Sequence, residues 1–285
     1  YGLVTYQTAY LKANYPEEYL SALLTSVSHT LEKAAVYLAE CRSMGITVEV
    51  PDINRSAANF TPGDKSIIFG LAAVRNVGEG LVDLIVAERK ARGPFGPREI
   101  DGRPIDAFDD FCLRVPYEVL NKRTIESIIK AGGFDTCGLP RKGLLLRMEE
   151  RIDHIVARRR EHDMGVMSLF GSGGAEPTID EHPVTDVEFD KAERLSHEKE
   201  MLGLYVSDHP LMGYEQVLAR RTDGPLSELV ELSDGTSRTI GGVVTNLQRK
   251  WTKKGDLMAI FQLEDLQSQI EVMVFPRTMT EHGHK

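Results

Sequence analysis

The stretch from Ala72 to Lys90, AAVRNVGEGLVDLIVAERK, constrains the fold more than any other, because two glycines interrupt a run that is otherwise periodic like a helix. Ala73, Val74 and Val77 precede the break, and Leu81, Leu84 and Ile85 follow it at 3–4 spacing, the repeat of one helix face. Gly78 and Gly80 flank Glu79, so the spacing predicts two short helices joined by a tight glycine turn. Two uses of the glycines stay open. They serve packing alone, or they let a phosphate reach the N–H groups that open the second helix.

A related pattern follows. Beyond the Gly/Pro-rich RGPFGPREIDGRP, the segment IDAFDDFCLRV is amphipathic, Pro116 breaks it, and LNKRTIESIIKAGGFD supplies another helix closed by Gly132 and Gly133. Two helical hairpins in tandem, at residues 70–92 and 105–133, therefore read as a double helix-hairpin-helix unit whose second copy lacks the glycine turn. Upstream, Leu3, Tyr6, Tyr10 and Leu11 form one helix stripe, and Pro16 with Glu17 and Glu18 suits the first turn of the next helix. Thr30 can cap a third, ended by Gly45; ITVEVP reads as a strand, and TPGD before SIIFG as a small hairpin. A long helix is predicted from Pro140 to Asp163, with Leu145, Met148, Ile152 and Ile155 on one face and Arg151, Arg158, Arg159 and Arg160 on a solvated one. From Met164 glycine, proline and acids predominate, as in an exposed linker. FDKAERLSHEKEML and the residues around Tyr214 to Arg220 are short helices, and TIGGVVTNLQRKWT, DLMAIFQLED and QIEVMVFP alternate as strands. Three antiparallel strands with a basic first loop look like the start of an OB-type barrel, which needs five. The fold class is thus mostly α with a small β part.

Charge is unevenly placed. The formal net charge is −9, but His162 to Ile240 holds sixteen Asp and Glu against six Lys and Arg, and the remainder 28 basic against 27 acidic residues. The acidity of one segment does not exclude a nucleic-acid surface elsewhere. Cys41, Cys112 and Cys137 are odd in number and form no C-x-x-C pair, which supports neither a disulfide frame nor a zinc site and makes reduced cytosolic thiols the default. No apolar run approaches the ~18–20 residues needed to cross a bilayer, and no signal peptide opens the chain. The chain starts inside helical periodicity, as a piece of something longer would.

Several strings together carry a resemblance: YGLVTYQTAYLKANYPEEYLSALLT, PDIN at Pro51, NVGEG, LNKRTIESIIKAGGFD, and EKEMLGLYVSDHPL followed by the barrel start. In this order and spacing they resemble the bacterial replicative DNA polymerase III alpha subunit over essentially the whole chain. The resemblance implies the C-terminal part of a fingers domain at residues 1–50 and a tandem helix-hairpin-helix DNA-binding and clamp-binding domain at 51–163. It further implies an acidic linker with a clamp-binding-like peptide at 164–237 and a truncated OB domain at 238–285. It implies a DNA-directed DNA polymerase acting in chromosome replication, bacterial and cytoplasmic, with double- and single-stranded DNA, a sliding clamp and other replisome subunits as partners. The catalytic aspartates of that family, which would hold Mg²⁺, lie in a palm domain upstream of the matched region. The present residues are expected to need no cofactor and to be inactive alone. Asp109 and Asp110 are a tempting metal pair, but adjacent helix positions point about 100° apart, and Asp106 to Asp110 read more simply as a solvated face.

In this light the amides around Asn76, Val77, Gly78, Gly80 and Leu81 would face one phosphate, without sequence readout, Asn76 standing where most such hairpins carry glycine. Lys122 and Arg123, at a helix start, substitute side-chain charge for the missing glycines of the second hairpin. Arg249, Lys250, Trp251, Lys253 and Lys254 crowd the first strand of the barrel start, as in a single-strand groove with an aromatic platform, although strand packing is an equal use for the tryptophan. Val166, Met167, Ser168, Leu169 and Phe170 occupy the place of the family's clamp-binding pentapeptide, with Val166 where glutamine is usual. His209, before Pro210, lacks a nucleophile or metal partner at recognisable spacing and reads as loop structure. Two alternatives remain. The error-prone paralogue of the same subunit is favoured slightly by the missing glutamine, and the replicative form by the retained Leu169 and Phe170. A DNA ligase module shares the two domain types but in the opposite order and with a cysteine quartet.

Overall fold

The computed structural model describes residues 2–28, 30–100, 103–163, 184–266 and 268–283. In chain order they form α1 (Gly2–Asn14), α2 (Pro16–Ser26), α3 (Leu31–Ser43), β1 (Thr47–Glu49), β2 (Thr61–Pro62), β3 (Ser66–Ile68), α4 (Glu79–Arg92), β4 (Arg98–Ile100), β5 (Arg103–Ile105), α5 (Ala107–Arg114), α6 (Lys122–Lys130), α7 (Arg141–Asp163), α8 (Lys191–Leu202), α9 (Glu215–Arg221), β6 (Val243–Trp251), β7 (Leu257–Glu264), β8 (Gln269–Val274) and α10 (Pro276–His282). The chain is mostly helical with three small sheets, as its periodicity implies. Two compact units emerge, Tyr1–His29 with Met44–Ser207, and Thr30–Ser43 with Asp208–Lys285. α3 thus groups with the C-terminal residues, although in the sequence it falls in the 1–50 segment.

In the first unit, β3 runs parallel to β1 and antiparallel to β2. Behind this sheet the PDIN string acts as a clip. Asp52 accepts from the Asn54 amide at 2.7 Å and the Thr136 hydroxyl at 3.0 Å. The Asn54 side chain donates to the Phe95 carbonyl at 2.8 Å and accepts from its N–H at 2.7 Å, and the Ile53 N–H reaches the Gly133 carbonyl at 3.0 Å. One short loop therefore ties together the chain after α4 and the end of α6. The core between these helices is aromatic: Phe111 meets Phe95 and Phe134 edge-on at 5.0 and 5.3 Å, and Phe108 meets Phe134 at 5.4 Å. Removing one such ring would cost about 3–5 kcal/mol. α7 closes the core with buried Leu144, Met148, Ile152 and Ile155. The stripe begins at Leu144, one position before the Leu145 expected from spacing. Glu188 caps α7 by accepting from the Arg141 and Lys142 amides at 2.9 and 3.3 Å. Gly143 is required there, because a Cβ would run into the Thr185 carbonyl. Buried Arg141 then joins Asp135 at 2.6 Å to fully buried Glu198 of α8 at 3.0 Å.

Asp106 to Asp110 are not a solvated face. Asp106 caps α5, accepting from the Phe108 and Asp109 amides at 2.9 Å, while Asp109 and Asp110 are each 1% exposed. Burial of charge demands partners, and arginines supply them. Arg151 of α7 donates to Asp106 at 2.7 Å and Asp109 at 3.0 Å. Arg114 donates to Asp110 at 3.0 Å and Glu88 at 2.9 Å, and Arg98 also contacts Asp110. Arg151 itself is 7% exposed, and Arg159 donates to the Val115 carbonyl at 2.7 Å while lying 4.2 Å from the Tyr117 ring. The arginine face of α7 is solvated only at Arg160; the side chain of Arg158 is outside the described part. Burial, then the charge of Asp106, push the Asp109 carboxyl up to about 6, against the pull of Arg151.

In the second unit β6, β7 and β8 form an antiparallel meander. The ladder is irregular between Thr245 and Gln248, where Asn246 takes a left-handed φ of 54°. β6 starts at Val243, after the glycines, and Gly255 with φ 83° turns it into β7. Asp265 accepts from the Leu226 and Ser268 amides, both at 2.7 Å, tying the 3₁₀ segment Leu226–Glu231 to the β7–β8 turn. His209 is buried and its Nδ1 accepts from the Leu211 amide at 3.1 Å, so it organises the loop that holds it. None of the described helices is long and apolar enough to cross a membrane.

Candidate nucleic-acid interface

The first hairpin differs from two joined helices. Its first arm is a 3₁₀ turn, Leu71–Ala73, anchored by buried Leu71, Val74 and Val77. The left-handed residue of the turn is Asn76, with φ 64°, a conformation that asparagine tolerates better than most residues. Gly78 is the N-cap of α4 with φ −85°, an ordinary extended value, and α4 begins at Glu79. A Cβ at Gly78 or Gly80 would meet nothing within 4 Å. Neither turn geometry nor internal packing therefore requires these glycines. Among the described residues no acceptor takes the N–H groups of Gly78, Glu79 or Gly80, and all three residues are exposed. These are the unsatisfied donors of a helix start, carrying the positive end of its dipole.

The second hairpin is brought to the same place. Asn121 caps α6 by accepting from the Arg123 and Thr124 amides at 3.0 and 3.3 Å. Thr124 donates its hydroxyl to the Asn76 carbonyl at 3.1 Å, and the Asn76 side-chain amide donates to Ser127 Oγ at 3.0 Å. Two hydrogen bonds thus lock the left-handed turn before α4 onto the first turns of α6, the helix that opens with Lys122 and Arg123. Arg123 is exposed there, and so is Arg75, which the sequence reading missed although it adjoins Asn76. Among the described residues neither has an ion pair. Lys122 is different: its Nζ lies 2.7 Å from Asp153 and 3.7 Å from Glu149 of α7, and the hydrogen bond to Asp153 holds its pKa above the usual lysine range.

The remaining candidates belong to other elements. Arg249, Lys250 and Trp251 sit along exposed β6, and Lys253 and Lys254 in the turn after it. Alternation puts Arg249 and Trp251 on one face of the strand and Lys250 on the other. Trp251 is 72% exposed and takes no part in a core. Val166, Met167, Ser168, Leu169 and Phe170 lie outside the described residues. No group of three or more His, Cys, Asp or Glu among the described residues is placed to hold a metal ion, and the carboxylates of Asp109 and Asp110 are engaged by arginine.

A family model described as "Helix-hairpin-helix motif" matches residues 45–144, which contain both hairpins and the Asn76–Thr124 contact. DNA polymerase III subunit alpha of Mycobacterium tuberculosis is 41% identical across 99% of this chain. The subunits of Thermus aquaticus and Pseudomonas aeruginosa are 38% and 37% identical across 97% and 96% of it. The chain matches one region of DNA polymerase III alpha subunits along nearly all of its own length. It spans about a quarter of the length of these relatives, 24% of the first and 22% and 24% of the others.

Proposed function

We propose that this chain is the part of a DNA polymerase III alpha subunit that grips duplex DNA by its backbone, without taking part in chemistry. The observation that carries this is the exposed amide triplet Gly78–Gly80, without an acceptor among the described residues, with open space over both glycines, Arg75 just before it, and the α6 start at Lys122 and Arg123 bonded to the same turn. A phosphate needs what this face offers, peptide donors at a helix start and surrounding positive charge, and such contacts carry no base information. The whole protein, bacterial and cytoplasmic, would perform template-directed DNA synthesis with Mg²⁺ held by carboxylates outside this chain. Arg249, Lys250, Trp251, Lys253 and Lys254 would contact single-stranded DNA, with Trp251 stacking on a base. Val166–Phe170 would dock on a sliding clamp, and other replisome subunits would engage other regions. The test is binding of the purified chain to short duplexes of unrelated sequence over about 50 to 200 mM salt. Equal, salt-sensitive affinities that vanish when Gly78 and Gly80 are made bulky and Lys122 and Arg123 alanine support the proposal. Unchanged affinity in that folded variant refutes it.

A further inference from the structure

A lysine in the first turn of a helix sits against the positive end of the helix dipole. Lys122 is the first residue of α6, no acidic residue follows it in that turn, and Arg123 adds a second positive charge. Helix stability therefore does not account for either cation. For Lys122 the compensation comes from another helix. Glu149 and Asp153 are one turn apart on α7, each one position past a buried residue, Met148 and Ile152. That places both carboxylates on the flank of the stripe that packs against α6, where they bracket the Lys122 ammonium at 3.7 and 2.7 Å. Both acids stay largely in water, 69% and 66% exposed, and the lysine side chain is 39% exposed. A pair this wet contributes little to folding. It still has a geometry of its own: two anionic oxygens at hydrogen-bonding and near-contact range of one ammonium, beside the turn where a phosphate would sit.

We infer that Glu149 and Asp153 are an internal stand-in for the DNA phosphate, holding Lys122 when the site is empty and competing with the duplex for it. This rests on the reading of the hairpin face as a backbone-binding site and adds its regulation. Binding then exchanges a carboxylate–ammonium contact for a phosphate–ammonium contact, so Lys122 adds less affinity than its charge suggests. Arg75 and Arg123, with no such partner among the described residues, give their full electrostatic attraction.

The experiment is a double-mutant cycle on the 285-residue chain with a short duplex as probe. The variants are Glu149→Gln with Asp153→Asn, Lys122→Ala, and all three together, each checked for its melting temperature. Relief of the competition should tighten duplex binding about five-fold at about 50 mM salt and steepen the dependence of log K on log salt by about 0.9, one added phosphate contact. Lys122→Ala should weaken binding about two-fold in the parent and about ten-fold in the relieved variant. A general gain from lost negative charge would persist without Lys122, whereas the inferred gain disappears. If Lys122→Ala has the same effect in both backgrounds while the parent binds duplex, the stand-in is overturned and the binding face stands. If neither parent nor relieved variant binds duplex at low salt, both fall.

Discussion

Replacing Gly80 by alanine separates the two uses a glycine can have at the start of α4. Gly80 is the second residue of the helix, and a Cβ there meets no atom within 4 Å. Alanine in a helix is more stable than glycine by about 0.5–1 kcal/mol, mainly because the unfolded chain has less freedom to lose. The folded protein should therefore gain up to that amount, seen as a higher urea midpoint at unchanged slope. DNA should respond in the opposite direction. A methyl group over the amides of Glu79 and Gly80 holds a phosphate away, and a hydrogen bond to a charged group is worth about 1.5–3 kcal/mol. Loss of one such contact is a ten-fold or larger drop in affinity. Fluorescence anisotropy with a labelled duplex reads it. A variant that is more stable and binds DNA as well as the parent would refute the assignment of these amides to phosphate. A variant that is less stable would refute the open space above the helix.

Three other outcomes follow from the same structure, and one, for the clamp, from the sequence alone. Arg151→Ala leaves the buried carboxylates of Asp109 and, in part, Asp106 without their cation, so chemical denaturation should show a loss of about 3–5 kcal/mol. The Asp109 carboxyl is pushed up to about 6 from the ordinary 3.8, so the folded state holds this proton more tightly than the unfolded one. Stability should then fall as pH rises from about 4 to about 6, and Asp109→Asn should flatten that slope in pH-dependent urea titrations. If Val166–Phe170 docks on a clamp as proposed, burial of Leu169 and Phe170 at roughly 1.5–3 kcal/mol each would be offset by about 2–5 kcal/mol of ordering. Calorimetry with a bacterial sliding clamp should show Leu169→Ala with Phe170→Ala abolishing binding, and Val166→Gln tightening it about five-fold through about 1 kcal/mol of added hydrogen bonding. Binding by the double alanine variant would free the peptide from that role. Trp251→Ala should weaken binding to single-stranded DNA by about 1–3 kcal/mol without changing duplex affinity.

The helices were legible because their signals are local. Pro16 with Glu17 and Glu18 marks the start of α2, and the α7 stripe is readable at Met148, Ile152 and Ile155, its first member being Leu144 and not Leu145. The buried charges were not. Asp109 and Asp110 look like surface residues until Arg151, 42 positions away, and Arg98 are packed against them, and no spacing rule reports such a pair. The site was half legible in the same sense. Glycines 78 and 80 attract notice in any reading, but only coordinates separate a glycine the fold needs, such as Gly143, from two that it does not. The capture of Lys122 by Asp153, 31 residues distant, is likewise a product of how α6 and α7 pack. Arg75 was readable and passed over, being one residue outside the motif.

The most direct test of the account is a map of amide resonances of the ¹⁵N-labelled chain during titration with a short duplex at low salt. The N–H signals of Gly78, Glu79 and Gly80 should move together with those of Arg75, Asn76 and Arg123, saturate at one common affinity, and return as salt is raised. Shifts confined to β6 and its basic turn, with the α4 amides unmoved, would contradict the claim that the hairpin face is where this chain holds duplex DNA.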